Sequence, residues 1–325
     1  MKLTLMDDNL ILQLVRATET AALAASRAAG FGDKNRADKQ AVKAMRSFFK
    51  QVNFQGRVVI GEGEKDQAPM LFIGEKLGTG RGEAVDIAVD PLENTNATAS
   101  LGPRAVTVLA ASEKGGLLHA PDMYMNKLIV GPEAAGKVEL EAPIKDNLEI
   151  IARSLERKIE DLVVVVLDRP RHEELVADIR KAGARVKLIP DGDLMPGIGV
   201  AMRGTGIHAV MGIGAAPEGV ITAAGLRCLK GEIQARFWPK DRKEEKRLEK
   251  MGGSLKKIYR TKDLASGKKI IFCATGVTNG EVLSGVRFFG GGGRTQTLVM
   301  DNLSDQIRLI DTTHVFNKQE IEYRL

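Results

Sequence analysis

Apolar positions recur at three- and four-residue spacing across residues 8–30, "DNLILQLVRATETAALAASRAAG", which predicts an amphipathic helix that Gly30 can stop. "GDKNRADKQAVKAMRSFFKQV" predicts a polar turn and a second helix, with Asp38 near its start, where negative charge is favourable. "RVVIGEGEKDQAPM" opens as a buried strand and breaks into a glycine turn lined by Glu62, Glu64 and Asp66. "APMLFIGEKL" predicts a helix or mixed segment. "EAVDIAVDPLENTNATA" predicts a strand over residues 84–89 that stops at Asp90-Pro91, because proline has no N–H to give a ladder. "RAVTVLAAS" and "GLLHAPDMYMNKLIVG" predict two more strands in an antiparallel meander.

The second half alternates more regularly. "DLVVVVLD" predicts a strand, "RHEELVADIRKAGA" a helix, "RVKLIP" a strand, "GIHAVMGIG" a strand and "APEGVITAAGLRCL" a helix. "KIIFCATG", "TQTLVMD" and "QIRLIDTTHVF" predict strands, with "FFGGGGRT" as a hairpin tip. Glycine, proline and charge thicken between Gly131 and Asn147. The fold class is α/β, in two lobes, 1–150 and 151–325.

The chain of 325 residues is 43% hydrophobic, with no apolar run of membrane-spanning length and no secretory layout at its start, so a soluble cytoplasmic protein is expected. The formal net charge of +6 suits nucleic acid or a small anion. In the densest basic stretch, "KDRKEEKRLEKMGGSLKKIYR", acids are interleaved as on a solvated helix, which leaves the small anion. Cys228 and Cys273 stand far apart outside any zinc-ligand spacing and read as buried free thiols, with a regulatory disulfide as the alternative.

Candidate chemistry lies where strands end. Glu62 follows "VVIG", Asp90 follows "DIAV" with Glu93 close behind, Asp191 and Asp193 follow "KLIP", and Glu218 follows "GIGAAP". A single turn acid is ordinarily solvated, but turns at strand ends tend to converge on one sheet edge. Two carboxylates about 4 Å apart repel by roughly 4 kcal/mol at an effective dielectric near 20, so converging acids need protons or a cation. Oxygen ligands alone suit magnesium or manganese. The glycine turn at Glu62 therefore presents carboxylate to a metal rather than amides to a phosphate. In "DPLENT", Thr95 offers a hydroxyl, and the amides around residues 94–96 would open a helix favourable to a phosphate dianion. Together these groups suit metal-assisted phosphoryl transfer to water.

"DPLENT" resembles the Asp-Pro-Ile/Leu-Asp/Glu-x-Thr motif of the lithium-sensitive, magnesium-dependent sugar and inositol phosphatase superfamily. With "GDKNRADKQAVKAMR", "VVIGEGEKDQAPML", "HAPDMYMNKLIVGP", "RPRHEELV", "IPDGD" and "GIGAAPEGV" in order, the chain resembles class II fructose-1,6-bisphosphatase from about residue 8 onward. The resemblance implies a layered αβαβα sandwich, Mn2+ or Mg2+, and release of the 1-phosphate of fructose 1,6-bisphosphate. Its implied metal ligands are Asp38, Glu62, Asp90, Glu93 and Glu218, with Leu92 contributing backbone. Thr95, Glu62 and Lys34 become catalytic. Tyr124, Arg169, Arg171, Asp191 and Asp193 hold the sugar and its distal phosphate, with Glu93, Asn94, Thr95 and Glu218 also at the substrate. A homodimer or homotetramer is implied, and sedoheptulose 1,7-bisphosphate is an alternative second substrate.

The residues add their own reading. Arg169 and Arg171 flank Pro170 just past a strand, a rigid fork for phosphate. Asn94 stands where the family usually has glycine, and asparagine tolerates left-handed backbone better than most residues. A dinucleotide site at "GEGEKD" fails, because Asp66 takes the third glycine position and acids would face a pyrophosphate. A non-catalytic sugar-phosphate sensor would have no need of five carboxylates.

Overall fold

The computed structural model describes residues 8–63 and 70–316, so Glu64 and Asp66 lie outside the described residues. The chain forms two compact units: the segment up to Ala111 joined by Ile271 onward, and Ser112–Ile270 between them. The boundary expected near residue 150 falls inside a helix of the second unit. Local composition marks a loop there, but it cannot show that the chain later returns to its first unit.

The first unit opens with α1 (Asp8–Arg27) and α2 (Lys34–Phe49), then β1 (Gln55–Ile60), β2 (Lys76–Leu77), β3 (Ala84–Glu93), α3 (Thr95–Ser100) and β4 (Val106–Glu113). The second contains β5 (Tyr124–Val130), α4 (Ile144–Ser154), β6 (Val163–Leu167), α5 (Glu173–Lys181), β7 (Arg185–Ile189), α6 (Leu194–Gly199), β8 (Ala209–Ala215), α7 (Ala216–Leu229), β9 (Glu232–Trp238), α8 (Arg242–Lys250), β10 (Tyr259–Arg260) and α9 (Thr261–Leu264). The chain closes the first sheet with β11 (Ile270–Gly276), β12 (Arg287–Phe289), β13 (Gly292–Asp301) and β14 (Ile307–Val315).

Among the described residues, the first sheet has the order β12-β13-β11-β4-β3-β1-β2, with β14 on β13. Leu14, Ala21, Met45 and Phe49 of α1 and α2 pack in one cluster with Val58, Ile87, Leu109 and Cys273 of the sheet. The apolar stripes read from the sequence thus bury against a sheet face, which is where most helical stability comes from. The second sheet has the order β10-β9-β5-β8-β6-β7, with β6 parallel to β7 and β8, and β5 antiparallel to β8 and β9. α4 and α5 cover one of its faces through Leu148, Ile151, Val176 and Ile179, which pack against Val164, Val166 and Met211.

The predicted α/β class holds. Four local expectations change. β3 does not stop at Asp90-Pro91 but runs through both to Glu93. β4 and β5 belong to different sheets, so they form no meander. The described part of "APMLFIGEKL" is turns leading into β2 rather than a helix. β9, "EIQARFW", adds a strand beyond those expected and pairs with β5 along seven residues.

Candidate active site

In the first unit the carboxylates gather around the C-terminal ends of two parallel strands. The register pairs Ile60 with Ala88, which carries Glu62 and Asp90 forward side by side. Glu62 sits in a turn clamped at its base. Its N–H donates to Leu71 O at 3.1 Å, and Ile73 N–H donates to Gly63 O at 2.9 Å. Gly61 has to be glycine, because a Cβ there would run into Leu71 O. Glu75 braces the same turn, accepting from Leu71 N–H and, at 2.6 Å, from Arg46 Nε.

Asp38 lies one turn into α2, whose N-cap is Asp33, accepting from Arg36 N–H at 3.0 Å. Lys34, the first residue of the helix, is exposed. Burial raises the Asp38 carboxyl above its usual range. Burial, and then the nearby Asp38 charge, push Glu62 up to about 7. Asp90 is turned back on its own loop, its Oδ1 accepting from Leu92 N–H at 3.0 Å. Glu93 is buried at the end of β3. Asn94 follows at φ 69°, ψ 55°, left-handed as expected, and its side chain caps α3 by accepting from Ala97 N–H at 3.3 Å. Thr95 is then the first residue of α3. Among the described residues, no three acidic, imidazole or thiol groups stand close enough to hold a metal ion as they are. The donor set still suits a hard cation: oxygen ligands only, partly buried, with the Asp38 charge opposing ionisation of Glu62.

In the second unit the other expected residues also occupy strand ends. Arg169 and Arg171 bracket Pro170 in a 3-10 turn after β6. Arg169 donates to Asp168 O and Pro190 O at 2.9 and 2.6 Å, and its Nη2 stands 3.9 Å from Asp191. Arg171 donates to Ile213 O at 2.8 Å and lies 4.7 Å above the Tyr124 ring. Its Nε is buried with no hydrogen-bond partner. Lys240 Nζ also lies 4.6 Å from the Tyr124 ring centroid, and the Trp238 ring is beside it with centroids 6.3 Å apart. Arg171, Arg236, Asn126 and Trp238 line a cavity of about 330 Å³. Asp191 caps its own turn, accepting from Gly192 N–H at 3.1 Å.

Two further residues organise this end. Lys127, in mid-β5, is fully buried and donates to Asp193 Oδ2 at 2.7 Å. A Cβ on Gly214 of β8 would collide with that pair, so glycine makes room for it. Glu218, in the first turn of α7, has an enclosed Oε2 with no hydrogen-bond partner. Burial raises its pKa to about 7 against the opposing pull of Lys127, with Asp193 adding to the rise. His172 ties the arginine turn to β8: its Nε2 accepts from Ile213 N–H and its Nδ1 donates to Leu167 O, both at 2.7 Å. That fixes one neutral tautomer, and burial keeps its pKa low. Sequence reasoning missed Lys127 and His172. The strand alternation Met125-Lys127-Ile129, all buried, was the available signal for the lysine.

The family model described as bacterial fructose-1,6-bisphosphatase, glpX-encoded, matches residues 8–314. A protein of Synechococcus sp. (strain JA-3-3Ab), named D-fructose 1,6-bisphosphatase class 2/sedoheptulose 1,7-bisphosphatase, is 48% identical, covering 97% of this chain and 98% of the relative. Relatives with the same name from Synechococcus elongatus and Gloeobacter violaceus are 47% and 45% identical, each covering 96% of this chain and 98% and 97% of the relatives. Strand-end carboxylates in one unit, an arginine fork in the other and this full-length likeness agree: the chain belongs to the class II fructose-1,6-bisphosphatase family.

Proposed function

We infer that this protein hydrolyses the 1-phosphate of fructose 1,6-bisphosphate, giving fructose 6-phosphate and inorganic phosphate, and that it depends on Mg2+ or Mn2+. The observation that carries the bisphosphate part is Arg171: a buried guanidinium Nε without a partner, beside a second arginine at the end of parallel strands. A buried unmet donor is costly, and an anion removes that cost.

Asp38, Glu62, Asp90, Glu93 and Glu218 would hold the cation, with Leu92 backbone. The cation, when bound, supplies charge stabilisation to the transferring phosphoryl group. The remaining work falls to the chain. Asn94 turns the backbone into α3, whose first amides would favour a phosphate dianion. The Thr95 hydroxyl orients the attacking water, with Glu62 as the catalytic carboxylate beside Thr95 in this scheme. Lys34 adds positive charge at the reacting end. Water attacks phosphorus, the bond from phosphorus to the C1 oxygen breaks, and that oxygen leaves as the sugar hydroxyl. Arg169 and Arg171 grip the distal phosphate, while Tyr124, Asp191 and Asp193 orient the sugar. The same grip suits sedoheptulose 1,7-bisphosphate, a substrate present in the relatives' names. In the cell we place it as a cytoplasmic homodimer or homotetramer.

The test is phosphate release from fructose 1,6-bisphosphate with Mg2+ or Mn2+, with and without chelator. Release that stops at one phosphate per sugar and vanishes with chelator is expected. No release with either cation from folded protein would overturn the reading.

A further inference from the structure

A second cavity in the Ser112–Ile270 unit, about 650 Å³, takes no part in that chemistry. Its lining includes Val163 at the start of β6, His208 just before β8, and Gly131 just after β5. Tyr124, Arg171, Asp193 and Glu218 belong to the opposite ends of those strands and their neighbours. A five-residue strand is roughly 16 Å long, so the cavity is a separate site.

The floor is apolar, with Ile151, Leu155, Met202 and Ile207. Around it stand Arg157, Arg185, Arg203 and His208, against a single carboxylate, Glu133. Arg185 is braced by donating to Asp161 O at 2.6 Å. Val163 N–H donates to His208 Nδ1 at 2.9 Å, which places the proton of the neutral ring on Nε2. Arg157 and Arg203 are exposed, and neither forms a salt bridge with a described residue. Cations drawn around one concave apolar floor repel each other, and a shared counter-charge relieves that repulsion.

The cavity is also wired to the sugar side. α6 is buried throughout and begins directly after Asp193. The chain leaves it through Val200, Ala201 and Met202, which line the cavity. Thr205 Oγ1 donates to Gly199 O at 2.7 Å, fastening the cavity loop to the end of α6.

We propose that this cavity is a regulatory site for a small organic anion, with a phosphate, phosphonate or carboxylate head and a flat or apolar body. Arg157, Arg203 and the His208 Nε2–H take the head, and Leu155, Met202 and Ile207 take the body. A ligand there bears on the loop that ends α6 and so on Asp193. This last step rests on Asp193 being a sugar ligand; the binding itself does not.

The test uses phenylphosphonate, whose carbon–phosphorus bond the proposed hydrolysis leaves intact. Calorimetric titration of the full chain is expected to show binding that Arg157→Ala/Arg203→Ala weakens at least about tenfold, while Arg171→Ala leaves it unchanged. Inorganic phosphate should bind more weakly than phenylphosphonate. Both arginines are exposed, so the double variant is expected to unfold at the same denaturant concentration as the parent. Binding lost in Arg171→Ala and untouched in the double variant would place the ligand at the arginine fork and overturn the proposal, as would no binding at millimolar concentrations. A shift in KM for the bisphosphate, present in the parent and absent in the double variant, supports the regulatory role. An unchanged KM with the cavity filled overturns that role. The calorimetry needs no turnover, so it stands whether or not the phosphatase reading does.

Discussion

Arg171 and Lys127 are both cations in the second unit, and their surroundings give them different work. The Arg171 guanidinium rests on Tyr124 and keeps a donor unmet, which is the state of a group awaiting a ligand. Arg171→Ala is expected to raise KM for the bisphosphate by about one to two orders of magnitude, as expected for a lost charged hydrogen bond, with far less effect on a monophosphate. Steady-state kinetics on both esters check this; equal effects would remove the distal-phosphate role. Lys127 is already satisfied by Asp193 in a buried pair. Removing one partner of such a pair strands the other's charge, at a cost of about 3–5 kcal/mol, whereas replacing both with apolar groups can be close to neutral. Lys127→Met should therefore destabilise strongly in denaturant unfolding. Lys127→Met/Asp193→Leu should recover much of that stability while its KM stays raised. A recovered KM would make the pair purely structural.

At the level of elements, the short helix α3 depends on one residue. Asn94 supplies both a left-handed turn and the cap on Ala97 N–H. Asn94→Ala loses the cap and strains the turn, for a combined cost of about 2 kcal/mol, while Asn94→Gly frees the backbone and should cost only a few tenths. Equilibrium unfolding of both variants checks the order, and an alanine variant as stable as glycine would show that the turn carries no strain. This turn was legible through the family resemblance, which puts Asn94 at a position usually held by glycine. α1, α2, β1 and the strand-end acids were legible from the chain itself, because spacing and turn chemistry are local. The partners of strands were not. β5 reads as a neighbour of β4, yet it pairs with β8 and β9, and those contacts are set by residues some eighty or more positions away in the chain. Glu75 was equally hidden, because its value lies in reaching Leu71 and Arg46 rather than in any pattern of its own.

For the molecule as a whole, the chain leaves its first sheet through β4 and returns through β11, adjacent strands of that sheet, so the second unit is an insertion between neighbours. Asp38, Glu62, Asp90 and Glu93 belong to the first unit, and Tyr124, the arginine fork, both loop aspartates and Glu218 to the second. Burying Glu62, with the Asp38 charge nearby, has a consequence for the stability of the cation-free protein. The Glu62 pKa rises from 4.5 to about 7 on folding, so between these values the folded chain holds a proton that the unfolded chain has released. Stability must then fall as pH rises through that window, by up to about 3 kcal/mol for a shift of this size. His172 and His208 have lowered pKa values and pull the other way near their unfolded value of 6.5. The difference between parent and Glu62→Gln isolates the carboxyl. Urea unfolding in chelator at pH 5.5 and 7.5 should show the parent losing stability relative to Glu62→Gln as pH rises. Adding Mg2+ or Mn2+ at the higher pH should restore the parent and not the variant, because ligand carboxylates bind cations only once deprotonated. A constant difference between the two proteins across pH would mean that Glu62 ionises freely, and a cation that stabilises both equally would place its binding elsewhere.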